Sequence, residues 1–325
     1  MYSLYLIAMS DYVVGIDIGG TKLATVVADK NGRILNKIRK PTQSDKGPEF
    51  AIQTLFEMIY QTIKDAELDK KDISGIGVSC GGPLDTQTGI VYSPPNLPGW
   101  DAFPLKDRLE SEFHINTVIE NDANASALAE YRFGGGKGYN IVLYMTMSTG
   151  IGGGIVINGE IYHGANDSAG EVGHQILLPN GPQCGCGKRG CLEALCSGPA
   201  IARRAKQAVE NNPDSLILSI ANDDINSIKS EHVLEAARHG DKIALKLIDV
   251  TAYYMGWGIA NLVNIINPDI VLLGTIAIAA GDLLIDPICK TVEDLAMTRP
   301  AEIVTIKPAE LGEKLGDMAA ISLVV

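Results

Sequence analysis

The feature that most constrains this chain is a recurrence: one series of elements, strand–strand–strand–helix–strand–helix, is legible twice in outline, each time beginning at a glycine-rich hairpin. In the first series Val13–Asp17 is a short apolar run. Leu23–Asp29 and Arg33–Lys40 follow it, joined by Asn31-Gly32, a dipeptide that supplies the positive φ angles of a tight hairpin. Ile52, Leu55, Phe56, Ile59 and Ile63 recur at helical spacing between Pro48 and Glu67. Ile73–Ser79 reads as a strand and Leu105–Phe113 as a helix. Thr117–Glu120 reads as a strand entering a helix over Ala123–Phe133, which Gly134-Gly135-Gly136 stops. The second series has strands at Ile141–Thr146 and Gly153–Ile157, with Asn158-Gly159 as a turn. Helices over Gly198–Asn211, Ser230–His239 and Asp241–Ile266 come next. A strand at Ile270–Leu273, a helix over Gly281–Leu295, a strand at Ile303–Ile306 and a short helix over Asp317–Val325 complete it. A chain of 325 residues is long for one core and comfortable for two. The pattern predicts two related α/β lobes with a cleft between them.

Charge narrows the partners. The net charge of −12 repels nucleic acid and anionic membranes, so neither is expected. It also repels a nucleotide, so a phosphate site has to be built locally from backbone N–H groups and a metal ion. No apolar run reaches the length of a bilayer span; Val250–Ile266 comes nearest and is interrupted by Asn261, Asn264 and two glycines. Met1–Ser10 lacks the basic residue and the small-residue cleavage site of a signal peptide; Met9 lies just before the first strand, so the first eight residues read as a start-site extension or a cloning remnant. A cytoplasmic chain is expected, with its six cysteines reduced or metal-bound.

Two glycine strings invite phosphate. Asp17-Ile18-Gly19-Gly20-Thr21-Lys22 joins two strands; its glycines let the backbone approach a ligand, Thr21 adds a hydroxyl, and Asp17 is placed to hold Mg2+ through water. Thr146-Met147-Ser148-Thr149-Gly150-Ile151-Gly152-Gly153-Gly154 offers two hydroxyls beside four glycines at a second turn. Neither matches the P-loop or the dinucleotide fingerprint, and an ordinary glycine hairpin is the competing explanation of each. Glu120-Asn121-Asp122-Ala123-Asn124 lies where a strand becomes a helix, the end of the strand at which α/β folds bind ligands. Asp122 is the candidate general base there, with a plain helix N-cap as the alternative.

Cys184-Gly185-Cys186-Gly187-Lys188-Arg189-Gly190-Cys191 sets three thiols within eight residues, and His174 lies ten residues upstream of Cys184. Three cysteines and one histidine suit tetrahedral Zn2+, and four protein ligands leave no open position, so a structural metal is expected; a disulfide, strained in so short a loop, and an incidental cluster are the competing explanations. Cys80, Cys196 and Cys289 lie in apolar surroundings and read as core.

Taken together these residues resemble the ROK family of repressors and sugar kinases, over about Val13–Val325. The most specific part is Gly170-Glu171-Val172-Gly173-His174 followed by Cys184-x-Cys186-Gly187-x-x-Gly190-Cys191-Leu192-Glu193, similar to the family's zinc signature. The resemblance implies an actin-like, ribonuclease-H-type fold of two lobes. The expected division is residues 1–122 with about 307–325, and residues 123–306 carrying the zinc loop. It implies ATP held by Asp17, Gly19, Gly20, Thr21, Lys22, Ser148, Thr149, Gly150, Gly152 and Gly274. It implies a hexose held by Gly82, Asn96, Asn121, Asp122, Glu171, His174 and Glu193. It also implies a homodimer or homotetramer. His174 would ligate zinc through one ring nitrogen and reach the sugar with the other. The chain departs from the family's glycine run at Gly274-Thr275-Ile276, near the implied adenosine position, and again at Leu315-Gly316-Asp317-Met318-Ala319-Ala320.

The expectation is therefore a hexose kinase, most simply a glucokinase. Mannose, fructose or N-acetylhexosamines are alternative acceptors, and a sugar-responsive repressor or a sugar-binding protein without strong catalysis are alternative functions. A repressor of the family carries a basic helix-turn-helix region ahead of the first phosphate loop; the residues before Asp17 have no such character. Because the glycine strings and the zinc motif are separate in sequence, metal removal is expected to weaken sugar binding more than ATP binding.

Overall fold

The computed structural model describes residues 11–325; the first eight residues, read above as a start-site extension or a cloning remnant, lie outside the described residues. The chain divides into two compact units. The first comprises the described residues up to Gly134 with His163–Asp167 and Glu313–Val325; the second comprises Gly135–Tyr162 and Ser168–Gly312.

In the first unit, β1 (Tyr12–Ile18), β2 (Lys22–Asp29) and β3 (Ile34–Pro41) form an antiparallel meander. β4 (Ile73–Cys80) lies parallel to β1. A small sheet of β5 (Leu84–Asp85), β6 (Ile90–Val91) and β7 (Phe103–Pro104) follows, and β8 (Thr117–Asn121) completes the main sheet in the order β3-β2-β1-β4-β8. Strand alternation sends side chains to opposite faces. Val14, Ile16, Ile18, Ile76 and Val78 join one core with Ile52, Leu55 and Ile59 of the helix Gly47–Asp65. On the other face Gly15 and Gly77 admit the C-terminal helix Leu315–Ser322; a Cβ on Gly77 would lie 2.0 Å from the carbonyl oxygen of Ala320.

The second unit repeats this plan. β9 (Ile141–Met147), β10 (Ile151–Ile157) and β11 (Glu160–Ile161) are antiparallel, β12 (Ile270–Leu273) and β13 (Thr305–Pro308) are parallel to β9, and the order is β11-β10-β9-β12-β13. The helix Lys242–Ile266 packs on Asp282–Leu295, with Gly256 placed where any side chain would strike Thr291. No helix among the described residues is long and apolar enough to cross a membrane.

Three expectations are adjusted. The helix Asp122–Phe133, placed with the second lobe from the sequence, groups with the first unit. The cause is long-range: Ser322 Oγ donates to the Ala125 carbonyl at 3.4 Å and Arg132 bonds the Val325 carbonyl. Ile303 ends a helix, Thr298–Ile303, and the strand begins only at Thr305. Cys80 and Cys196 are fully buried, but Cys289 is only half-buried.

Candidate active site

The first unit aligns the carboxyl ends of three parallel strands. Ile18 of β1 sits beside Cys80 of β4, which sits beside Asn121 of β8. Neighbouring strands lie about 4.8 Å apart. Each strand runs directly into candidate residues: Gly19–Thr21 after β1, Gly81-Gly82 after β4, and Asp122 after β8.

Asp17, one residue before the end of β1, is largely buried. Burial raises its carboxyl above the usual carboxylate range; Lys22, 3.6 Å away, opposes the shift, and Asp317 adds to it. A Cβ on Gly316 would stand 2.8 Å from Asp17 Oδ2, so glycine there leaves the carboxylate its space. The sequence marks Gly316 only as part of a departure from the family pattern, and its task is visible only when the C-terminal helix folds back. Asp317 in turn is paired with Lys37.

The hairpin after β1 is pinned by a residue the sequence does not single out. Gly19 N–H donates to the Lys22 carbonyl at 2.9 Å, while buried Thr42 donates its hydroxyl to the Gly19 carbonyl at 2.5 Å and its N–H to Thr21 at 3.1 Å. Thr21 and Lys22 are exposed. Gly20 presses on the next candidate: its Cβ would lie 2.7 Å from both Cβ and the carbonyl oxygen of Asn96. The loop that carries Asn96 is closed by a Ser93 N–H to Trp100 carbonyl bond of 2.8 Å, and Trp100 is buried.

The N-cap of Asp122–Phe133 is Asn121. Its Oδ1 accepts the N–H of Ala123 at 2.9 Å and of Asn124 at 3.4 Å. The capping role considered for Asp122 therefore falls to its neighbour, and Asp122 is the first residue of the helix and exposed. Gly82 lies next to Asn121: a Cβ there would approach Asn121 Nδ2 to 3.1 Å, and the following Gly82-Pro83 peptide is cis.

In the second unit the hairpin tip is Ser148-Thr149-Gly150, closed by Met147 opposite Ile151 and by a Ser148 N–H to Gly150 carbonyl bond of 2.9 Å. Gly152, expected at the tip, is inside β10 opposite Thr146. The Ser148 carbonyl accepts the N–H of Gly198 at 2.8 Å, which brings the first turn of the helix Gly198–Glu210 to the tip. A helix N-terminus and exposed backbone N–H groups favour an anion. Beside them opens a cavity of about 280 Å³ lined by Ser148, Thr149, Gly198, Pro199, Ala202, Lys229, Ser230, Glu231, Thr275 and Ile276. Gly274 stands behind it, where a Cβ would lie 2.5 Å from the Tyr144 hydroxyl. Thr275 adopts φ 53° and ψ −102°, a strained conformation for a β-branched residue, and its hydroxyl lies 3.1 Å from that of Thr146.

His174, Cys184, Cys186 and Cys191 each bring one ligand atom within 4.8 Å of the others. Cys186 Sγ and Cys191 Sγ are 3.7 Å apart, as are Cys184 Sγ and His174 Nδ1. Zinc–sulfur bonds of about 2.3 Å in a tetrahedron set sulfurs about 3.8 Å apart, so the set fits that ion. The same spacing is far longer than a disulfide, and all six cysteines are free. His174 turns Nε2 toward Glu171, 3.7 Å away. Glu193 bridges the cluster to the hairpin: Oε2 accepts the Ile151 N–H at 3.0 Å and Oε1 lies 3.5 Å from Cys184 Sγ. Gly173 adds to this junction, since a Cβ there would lie 2.0 Å from the Ile151 carbonyl oxygen. The zinc motif and the second glycine string, separate in sequence, are packed together.

Of the acceptor candidates, Gly82, Asn96, Asn121 and Asp122 belong to the first unit, and Glu171, His174 and Glu193 to the second.

The model of the ROK family matches residues 13–325. A glucokinase of Halalkalibacterium halodurans is 38% identical over 310 residues, covering 95% of this chain and 93% of its own. A putative xylose repressor of a Caldicellulosiruptor species is 33% identical over 313 residues, 96% of this chain and 78% of its own. Among solved structures, a ROK hexokinase of Thermus thermophilus has a TM-score of 0.82 at 35% identity, covering 96% of this chain and 97% of that one. A ROK glucokinase of Streptomyces griseus, in complex with glucose and AMPPNP, has a TM-score of 0.80 at 34% identity, covering 96% and 99%. The fold is the actin-like ATPase fold.

Proposed function

We propose, from the premise that this chain belongs to the ROK family and is an ATP-dependent hexose kinase, that its acceptor is glucose and that Asp122 takes the proton of the reacting hydroxyl. The observation that carries the assignment of Asp122 is the cap at Asn121. Asp122 itself is the exposed first residue of the capped helix, at strand ends in register with the Gly19-Gly20 hairpin. Glucose is supported by the glucokinases of H. halodurans and S. griseus.

Phosphoryl transfer asks little covalent chemistry of the protein and much positioning. The acceptor oxygen attacks the γ-phosphorus as its proton passes to Asp122, the bond to the β–γ bridging oxygen breaks, and ADP leaves. Backbone N–H groups of the Gly19–Thr21 and Ser148–Gly150 hairpins hold phosphate oxygens, with Lys22 nearby. The cavity bordered by Thr275 and Ser230 receives the nucleoside, with Gly274 behind it. Bound Mg2+ would neutralise charge on the phosphates, with Asp17 holding it through water. His174, Cys184, Cys186 and Cys191 would hold a structural Zn2+, which would fix the segment carrying Glu171 and Glu193.

Asp122→Asn keeps the shape and removes the base. Turnover is expected to fall at least about 10²-fold while glucose still binds in calorimetry. Near-normal turnover of ATP and glucose by this variant would refute the assignment, and a panel of mannose, fructose and N-acetylhexosamines decides the acceptor.

A further inference from the structure

Residues His163–Asp167 belong to the first unit although the residues on both sides of them in sequence belong to the second. Two sets of polar contacts hold this short segment in place. At one end His163 Nε2 donates to Glu120 Oε2 at 2.6 Å. At the other, the Asp167 carboxylate accepts the Thr86 N–H at 3.0 Å and the Thr86 hydroxyl at 3.2 Å.

Both anchors adjoin the acceptor residues. Glu120 is only 3% exposed, and its second oxygen accepts the N–H of Asn121 at 2.8 Å and Asn124 Nδ2 at 3.0 Å. Glu120 therefore grips the turn on either side of Asp122. Thr86 lies four residues beyond Gly82, on the chain leaving β4. The segment thus ties together the two strand-end loops that carry Gly82 and Asn121-Asp122.

We propose that His163–Asp167 is a strap that sets the acceptor residues of the first unit, with His163 and Asp167 as positioning residues acting through Glu120 and Thr86. The proposal rests on Asp122 as the base. A buried carboxylate needs donors, and two of those that Glu120 has are neutral N–H groups; His163 is the partner able to carry charge. The hydrogen bond to Glu120 holds the His163 imidazole above its usual value of 6.5, against the effect of burial, and Asp167 adds to the rise. These two carboxylates are the charged groups that act on the ring among the described residues. The charged pairing is complete below 6.5 and fades as pH rises through the raised value.

The test compares His163→Ala, His163→Gln and Asp167→Asn with the unaltered enzyme. The KM of glucose should rise and kcat fall in His163→Ala, together lowering kcat/KM for glucose about tenfold or more, the scale of one charged hydrogen bond, while the KM of ATP stays put. His163→Gln, which keeps a donor but no charge, should recover part of that loss and abolish an alkaline decline in kcat/KM for glucose that the unaltered enzyme shows. Asp167→Asn should raise the KM of glucose and move the alkaline decline to lower pH without abolishing it. Equal changes in both substrates' KM, or a lower Tm with unchanged glucose kinetics, would overturn the strap. Calorimetry of glucose binding to Asp122→Asn with and without His163→Ala separates the two ideas. If the strap is wrong, the added substitution leaves glucose affinity unaltered; if only the base is wrong, Asp122→Asn stays active and the affinity still falls.

Discussion

Gly19, Gly20 and Gly150 occupy loop positions of one kind, yet a methyl group added to each meets a different neighbour. At Gly19 the nearest atom is the Lys22 carbonyl oxygen at 3.4 Å, an ordinary contact. At Gly20 it is Asn96, at 2.7 Å, and at Gly150 it is Glu193 Oε2, at 2.5 Å. The sequence assigns all three to phosphate for the same reason, the absence of a Cβ. The structure separates them: Gly20 and Gly150 are also required by proposed acceptor residues, whereas nothing among the described residues crowds a Cβ at Gly19. Gly19→Ala should therefore leave Tm nearly unchanged and weaken ATP binding alone. Gly20→Ala should displace Asn96 and weaken glucose and ATP together. Calorimetry with both ligands checks the pair, and a Gly20→Ala protein that loses ATP affinity only would contradict this division.

At the scale of elements, the Cys184–Cys191 loop and the Ser148–Gly150 hairpin act as one piece. The Glu193–Ile151 bond and the contact of Gly173 with Ile151 join them, so the sequence-based expectation that metal loss weakens sugar binding more than ATP binding does not suit this packing. Cys184→Ser, Cys186→Ser or Cys191→Ser should lower Tm and weaken both glucose and nucleotide binding, since a hydroxyl is a poor zinc ligand among thiolates. Elemental analysis should find about one zinc per chain, the number a single tetrahedral set holds. A metal-free protein with unchanged Tm and both affinities intact would reject the coupling. What was legible in advance follows from range. The glycine hairpins, the long amphipathic helices and the cysteine cluster declare themselves within a few consecutive turns of chain. The helices Leu192–Cys196, Leu216–Ile220 and Ile276–Ala280 are too short to show a period. Thr42 on Gly19, His163 on Glu120 and Gly316 under Asp17 join residues far apart in sequence, and no local pattern announces them.

At the scale of the whole chain, the first unit is finished by a segment far from the rest of it in sequence, Glu313–Val325. The helix Leu315–Ser322 lies against β1 and β4, and Gly15 and Gly77 mark where its backbone meets the sheet. The same return carries Gly316 to Asp17 and Asp317 to Lys37, so this segment shapes the proposed phosphate side of the unit as well as its core. Gly77 tests this most directly. A Cβ there would stand 2.0 Å from the Ala320 carbonyl oxygen, 3.1 Å from its carbon and 3.3 Å from Leu323 Cβ. Two of those atoms are backbone, so no side-chain rotation relieves the clash and the helix itself has to lift. Gly77→Ala should then destabilise the first unit by about 1–3 kcal/mol, the usual cost of overpacking. Because lifting the helix draws Gly316 and Asp317 away from Asp17 and Lys37, ATP affinity should fall beyond what the loss of stability explains at temperatures well below Tm. Hydrogen exchange should quicken in β1, β4 and Leu315–Ser322 while β9, β10 and β12 keep their protection. Uniform exchange through both units, or full ATP affinity in a protein of lowered Tm, would show that the C-terminal helix supports the core without reaching the phosphate side.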